Sequence, residues 1–333
     1  MKTRRFLLMA CAVGSIAGLG CSARELDPVI GKPPGDDAGA AGGGGMMGSS
    51  LDAWIAFDSD GGASNRDIYI IRANGTDRRR LTRDPSAEMQ PSFSPDGTKL
   101  AFTSDRDGPM EIYVMDLATG VAARVTQRVS GAHDPAFTRD GTRVGYRSDA
   151  SVFTANLDGT DERQVTDGRT CCLSGPFGAP VFASDGQTII YDDYNAIYST
   201  TDAMNRQTIV MPTTGEQSHP ALSADGSTIV LQATCIGDNA ARSLWTVPAN
   251  AITDYSCTGG QRISAPGTDA THASWGPDNM IVWGSVTGGT NSTSPVLSDL
   301  VLWQDGQLRT LESGTGDIRN PSWSPPGTTI GDW

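Results

Sequence analysis

Pro91-Ser92-Phe93-Ser94-Pro95-Asp96-Gly97-Thr98-Lys99-Leu100-Ala101-Phe102-Thr103-Ser104-Asp105-Arg106-Asp107-Gly108, with Glu111-Ile112-Tyr113-Val114-Met115-Asp116 close behind, is the stretch on which the fold turns. It reads as inner strand, tight turn, strand, turn, strand. Pro, Asp and Gly preset the first reversal at Asp96-Gly97. Residues 99–103 and 111–116 carry the branched and aromatic side chains that suit a pleated, buried surface. Arg124-Val125-Thr126 follows as a short fourth strand. The opening phrase, Pro-x-aromatic-x-x-Asp-Gly, returns at 135–141, at 180–186 and at 220–226, where Leu222 takes the aromatic place. A degenerate copy stands at 273–279, and the last is at 321–327, where Pro326 replaces the Asp. Recurrence every 40 to 53 residues marks a repeat architecture built from one supersecondary unit.

Third strands are expected at 67–71, 152–156, 196–199, 243–246 and 299–303, with Leu81-Thr82, Val165-Thr166, Ile263-Ser264 and 309–311 in outer strands. The first unit begins with its second strand at Trp54-Ile55-Ala56-Phe57 and has no inner strand of its own, whereas the final phrase has an inner strand and little after it. The economical solution is an all-β ring, a six-bladed β-propeller of four-stranded antiparallel blades. The C-terminal phrase supplies the missing inner strand of blade one, which removes the open ends of a sheet stack. Residues 51–333 give about 47 residues per blade, within the propeller period. Phe93, Phe137, Phe182, Leu222, Trp275 and Trp323 are expected to pack between blades. Asp58-Ser59-Asp60-Gly61 lacks the bidentate Glu of a calcium loop and reads as a hairpin turn.

The phrases Pro91 to Gly108 and Ile112-Tyr113-Val114-Met115-Asp116 resemble the WD-like repeats of the TolB propeller family. The resemblance covers about residues 52–327 and is strongest in blade two, good in blade three and thinner in blades four to six. It implies a channel that binds partners, as propellers of that family mostly do; the founding member's propeller is periplasmic and docks a peptidoglycan-associated lipoprotein at the channel mouth. The family's founding member carries an α/β domain ahead of its propeller, where this chain has a Gly-rich stretch. Propeller-type oligogalacturonate lyases resemble the same family and use clustered histidines with a metal, which implies a metal-assisted carbohydrate-active enzyme as the alternative.

Lys2, Arg4 and Arg5 precede an apolar run of 14 residues, 6–19, too short to span a bilayer comfortably and suited to a signal peptide. It ends in Gly18-Leu19-Gly20-Cys21, which resembles a lipobox with Gly18 in the usual Leu place, so 1–20 is read as a lipoprotein signal and Cys21 as the acylated residue. The arginine pair also resembles, faintly, a twin-arginine signal. Residues 22–50 are too poor in apolar surface to offset their ordering entropy and form a tether with a reach of about 30 Å. The expected location is the bacterial cell envelope, lipid-anchored in the outer membrane and facing the periplasm, with the domain held at the membrane by the anchor alone.

The chain has 38 Asp and Glu against 25 Lys and Arg, a formal charge of -13 that becomes -16 once Lys2, Arg4 and Arg5 leave with the leader. That balance argues against nucleic-acid binding, where cationic residues must neutralise phosphates. Four cysteines would remain beside Cys21 in the exported chain. Cys235 and Cys257 bracket a longer hairpin in blade five and are expected to pair. Cys171 and Cys172, being adjacent, reach standard disulfide geometry with difficulty. No Gly-x-Ser-x-Gly elbow is present for a serine nucleophile.

Counting six residues back from each phrase Asp, or from Pro326, gives Gln90, Asp134, Ala179, His219, His272 and Asn320. Five of the six are polar, and His133 adjoins Asp134. His133, His219 and His272 are all the histidines the chain has. Because inner strands surround a propeller's channel, these positions should meet at one mouth of it. They could cap strand starts at a wet mouth, or hydrogen-bond an inserted partner loop. A third reading is a divalent metal on His219, His272 and Asp134. The expectation is a monomeric binding module, not an enzyme, with no cofactor. It takes a protein or cell-envelope ligand through Gln90, His133, Asp134, His219, His272 and Asn320. A scaffold that uses its acidic rim is the remaining reading.

Overall fold

The computed structural model describes residues 50–333 apart from 64, 167–179, 193–195, 202–206, 213–216, 235–241, 250–252, 256–259, 287–297 and 315. Residues 1–49, with the expected signal, Cys21 and the Gly-rich stretch, lie outside the described residues, as do Ala179 and the cysteines Cys171, Cys172, Cys235 and Cys257.

Six sheets follow one another, and the inner strand of each packs on the inner strand of the next. The inner strands are Ile318–Trp323, Glu88–Phe93, His133–Phe137, Val181–Phe182, Gln217–Leu222 and Asp269–Trp275, belonging to blades one to six in that order. Ile318–Trp323 pairs antiparallel with Trp54–Ser59, with Ile55 opposite Trp323 and Ser59 opposite Ile318. The C-terminal strand therefore completes blade one and closes the ring, as the phrase count predicts. An ion network fastens the seam: Arg66 lies 2.6 Å from Asp58 and 3.0 Å from Asp317, and the Trp54 amide donates to Ser324 Oγ at 2.9 Å.

Blade strands are buried on both faces, which is why they read as apolar runs rather than as alternating ones. In Trp54–Ser59, Ile55 and Phe57 join Val282 and Leu300 of blade six, while Trp54 and Ala56 join Leu100 and Phe102 of blade two. Phe93, Phe137 and Phe182 are buried, as expected of core residues.

Two local devices recur. In each Asp-Gly turn the Asp accepts from the chain two residues on, as at Asp96 from the Thr98 amide (3.0 Å) and at Asp140 from the Thr142 amide (3.0 Å). The glycine takes the left-handed region, φ 70° at Gly97 and 69° at Gly141. The Asp-Gly signature is thus turn chemistry. The outer strand of blade one stops at Arg80, so Leu81-Thr82 fall just beyond it. The reason is that a hydroxyl takes over from the ladder: Thr82 Oγ1 accepts from the Ile68 amide at 2.9 Å, and Thr126, Thr166 and Ser264 do the same for Ile112, Val152 and Leu244.

Blade four departs from four strands. Its outer strand Gln207–Pro212 is paired in parallel by Thr253–Tyr255, a segment of the blade-five insertion. A six-residue outer edge would otherwise offer an open ladder, and the added strand pairs with its last three residues, Val210, Met211 and Pro212.

Candidate functional site

Five of the six inner strands, those of blades one, two, three, five and six, carry an extra residue at the same place. Met89 faces Thr103 but Ser92 faces Ala101, so three residues on the inner strand span two on its partner. The same slip occurs between His133 and Ala136, Ser218 and Ala221, Thr271 and Ser274, and Arg319 and Ser322. The first residue of each bulge is left-handed: Gln90 at φ 58°, Asp134 at 55°, His219 at 55°, His272 at 54° and Asn320 at 50°. A left-handed non-glycine residue costs roughly 1–2 kcal/mol. Asn, Asp and His tolerate it best, whereas Gln has no such preference. The bulge turns all five side chains inward, where they line a small chamber of about 90 Å³ on the channel axis. Sequence spacing anticipates this ring, but the bulge that aims it has no sequence signal beyond the following proline at four of the five positions.

The chamber has two unlike halves. On the side of blades one to three Gln90, Asp134 and Asn320 are each bonded to a neighbouring side chain. Asp58 accepts from the Gln90 amide (3.0 Å), from Asn320 Nδ2 (2.7 Å) and from Arg66. Gln90 Oε1 accepts from Thr103 Oγ1 (2.8 Å) and from the Asp134 amide (3.1 Å), and Gln90 Nε2 donates to Asp134. Arg147 grips the other Asp134 oxygen at 2.9 and 2.7 Å. Asp58, Thr103 and Arg147 occupy equivalent places on the second strands and form a supporting ring that the phrase-based count misses, because it lies outside the repeated phrase.

On the side of blades five and six the network is open. The His219 and His272 rings meet edge to face with centroids 4.1 Å apart. His219 is held by its amide to Asp192 (3.0 Å) and by Nδ1 to Ser218 Oγ (2.9 Å). His272 Nδ1 and Gln232 Oε1 are buried and, among the described residues, have no hydrogen-bond partner. A proton on that His272 nitrogen would be a buried donor without an acceptor, so the favoured tautomer carries it on Nε2. Both rings touch the chamber and so keep some accessible surface, yet protein surrounds them on all other sides. That burial pushes His219 down to about 4, with Asp134 opposing and Arg147 and Arg242 assisting. Burial, then His219, Arg319, Arg242 and Arg66, hold His272 well below its ordinary value. Both are neutral at pH 7.

His133 is not in the chamber wall. It precedes the bulge and points to the other face of the strand, its Nε2 close to where a side chain on Gly131 would begin. Burial also lowers its pKa, with Asp134 pulling the other way. Asp134 is committed to Arg147 and Gln90, and among the described residues no three His, Cys, Asp or Glu side chains converge as a metal site would need.

Beyond the collar of Pro91, Pro135, Pro220 and Pro321 the channel widens into a funnel of about 520 Å³. Phe93, Phe137, Phe182, Trp275 and Trp323 show their edges there, and Arg139 is the one ionisable residue in its described wall.

Residues 53–170 match the family described as the TolB beta propeller domain. A TolB homolog of Chlorobium luteolum is 42% identical over 66 residues, which is 20% of this chain and 14% of that protein. A Tol-Pal system protein TolB of Bordetella pertussis is 46% identical over 56 residues, 16% of this chain and 13% of that protein. The crystal structure of TolB from Acinetobacter baumannii superposes with TM-score 0.67 at 21% identity, covering 83% of this chain and 68% of that one. This chain is a six-bladed β-propeller whose first three blades carry the TolB propeller match. Its matched stretch spans only about one-seventh of the curated relatives' own length. The TolB-like resemblance is concentrated in blades one to three, the half whose chamber network is closed, whereas the histidine pair lies outside the matched residues.

Proposed function

We propose that this TolB-like propeller is an exported, lipid-anchored binding module whose channel receives a protein or cell-envelope ligand. Gln90, Asp134, His219, His272 and Asn320 face that ligand, with His133 behind the wall. The carrying observation is the asymmetry of the chamber. Three blades bond their chamber side chains to one another, while two place a neutral imidazole pair in the wall, with His272 Nδ1 unpartnered among the described residues. An unmade buried hydrogen bond costs about 1–3 kcal/mol, which a ligand group supplying it would recover. The funnel favours an apolar or aromatic segment with a polar tip, since only the tip fits the chamber. Relatives named for the Tol-Pal system support a protein partner.

The test is capture from envelope extract by the full chain and by a His219→Asn, His272→Asn variant. Asn tolerates the left-handed backbone, so the variant should fold. A partner held by the parent and lost by the variant is expected, and equal capture by both would sink the proposal. Acyl labelling of the full chain, absent after Cys21→Ser, tests the anchor in the same preparations.

A further inference from the structure

The chain is acidic overall, yet five of its 25 Lys and Arg residues stand between positions 72 and 83. Three of them are committed. Arg72 stacks on Trp54 at 3.7 Å; Arg78 lies 4.2 Å over the Tyr69 ring with its Nε 2.6 Å from Glu312; Arg80 reaches the nearly buried Asp67 at 2.7 Å. Arg79 and Arg83 are held more loosely, Arg79 lying 5.3 Å from the Trp54 ring centroid. The carboxylates beside Arg79 are exposed ones, Asp77 at 3.1 Å and Asp332 at 3.3 Å, and Asp332 is 97% exposed. Arg83 is exposed and, among the described residues, in no ion pair.

These side chains wall a cavity of about 400 Å³ between the outer edge of blade one and the C-terminal segment. Arg78, Arg79 and Arg83 form one side; Ile330, Asp332 and Trp333 form the other. The far wall is fixed, because Trp333 Nε1 donates to the Leu117 carbonyl at 3.1 Å and the Gly331 amide to the same carbonyl at 2.9 Å. The near wall is fixed by the ring and carboxylate contacts of Arg78 and Arg80. Guanidinium groups match oxyanions through paired N–H donors. An exposed ion pair such as Arg79–Asp332 is worth about 0–1 kcal/mol and yields readily to a better anion. The space exceeds one oxyanion, and beside Arg80 and Asp332 the remainder of its wall is Leu81, Ile330, Gly331 and Trp333.

We propose that this pocket binds an organic phosphate, with Arg79 and Arg83 clamping the oxyanion and Ile330 and Trp333 receiving its carbon body, and that Asp332 holds the anion's place in the free chain. The site is remote from the channel chamber in its residues and does not rest on the channel reading. A soluble phosphate ester and a phospholipid headgroup share this chemistry.

The experiment uses the full chain carrying Cys21→Ser, so that no acyl group contributes. It is titrated with glycerol 3-phosphate and sedimented with phosphatidylcholine vesicles with and without phosphatidylglycerol. Saturable binding is expected in at least one arm. Arg79→Gln with Arg83→Gln should weaken it about tenfold or more. Asp332→Asn should strengthen it roughly two- to fivefold by removing the internal competitor. Asp185→Asn, the same charge change in blade four across the ring, should do neither. Binding in the ester arm alone assigns a soluble ligand; binding in the anionic-vesicle arm alone assigns a headgroup; both uphold the site. No binding in either arm up to about 10 mM phosphate overturns it. So does binding that the double variant leaves unchanged while its melting curve is intact, or an Asp332→Asn effect no larger than that of Asp185→Asn.

Discussion

The sharpest consequence of the bulged ring concerns His272, and it is a reversal of the usual order of two substitutions. In an ordinary strand, glycine is worse than alanine by about 0.5–1 kcal/mol, because the unfolded chain gains freedom and the fold gains no contact. At φ 54° the balance changes. Alanine keeps the Cβ and therefore the left-handed strain of about 1–2 kcal/mol, which glycine removes. Against that stands glycine's extra unfolded-state entropy, about 0.4–1 kcal/mol. His272→Gly should therefore be more stable than His272→Ala by about 0.5–1 kcal/mol, or roughly 1–4 °C in Tm for a chain of this size. Both variants lose the contact with His219 and both relieve the unpartnered Nδ1, so these terms cancel in the comparison. Ala273→Gly, one residue on and without a positive φ, is the control and should lose stability in the ordinary way. Urea unfolding of the three variants and the parent gives the free energies. Alanine equal to or better than glycine at 272 would refute the claim that the ring is strained.

Two further outcomes follow from the same geometry. The depressed imidazoles make stability fall with acid: the unfolded chain takes up protons near pH 6.5 while the native ring resists until about 4 at His219, so stability is full above the upper value and drains between the two. With water in the chamber, the His219 share is on the order of 1–3 kcal/mol, and a urea midpoint that stays flat from pH 7 to 4.5 would contradict it. The turn carboxylates Asp96, Asp140, Asp185 and Asp225, lowered by hydrogen bonds from neighbouring Ser and Thr, lose their contribution only as pH falls below the ordinary carboxylate range, so the two windows separate. Gly284→Ala should destabilise by about 1–3 kcal/mol, because its Cβ would stand 2.6 Å from the Ile318 carbonyl of the closing strand, where only backbone could move; an unchanged melt would mean that the closing register differs.

The blades were legible because their information is local and periodic. A phrase such as Pro91 to Gly97 encodes one turn and one strand, and counting it places every inner strand, including the one that closes the ring. The channel residues were legible only as an alignment. Measuring back from Asp96 or Asp140 finds Gln90 and Asp134 but says nothing of which way they point, and it groups His133 with the chamber although strand alternation sends it to the other face. Asp58, Thr103 and Arg147 escaped altogether: they hold equivalent places on the second strands but share no residue type, and their meeting depends on how second strands pack behind inner ones. The arginine cluster at 72–83 was hidden by a different averaging, since a net charge of -13 describes the chain and not its edge.

The polarity of the ring is therefore weaker testimony to function than it looks from sequence. Asp, Asn and His are the side chains that endure a left-handed backbone, so a structural demand alone would select much of what stands at 134, 219, 272 and 320. Two facts resist that explanation. Gln90 has no left-handed preference, and its place is justified by what its amide does, bridging Thr103 to Asp134 across a blade boundary. At the opposite side, Asn at 219 and 272 would satisfy the backbone equally well at less volume, yet the chain places two imidazoles in edge contact and leaves one nitrogen unpartnered. Strain accounts for the polar class of residue; it does not account for choosing histidine twice and then declining to complete its hydrogen bonds. That residue of unexplained cost is what a ligand would have to repay, and it sits outside the residues that match the TolB beta propeller domain.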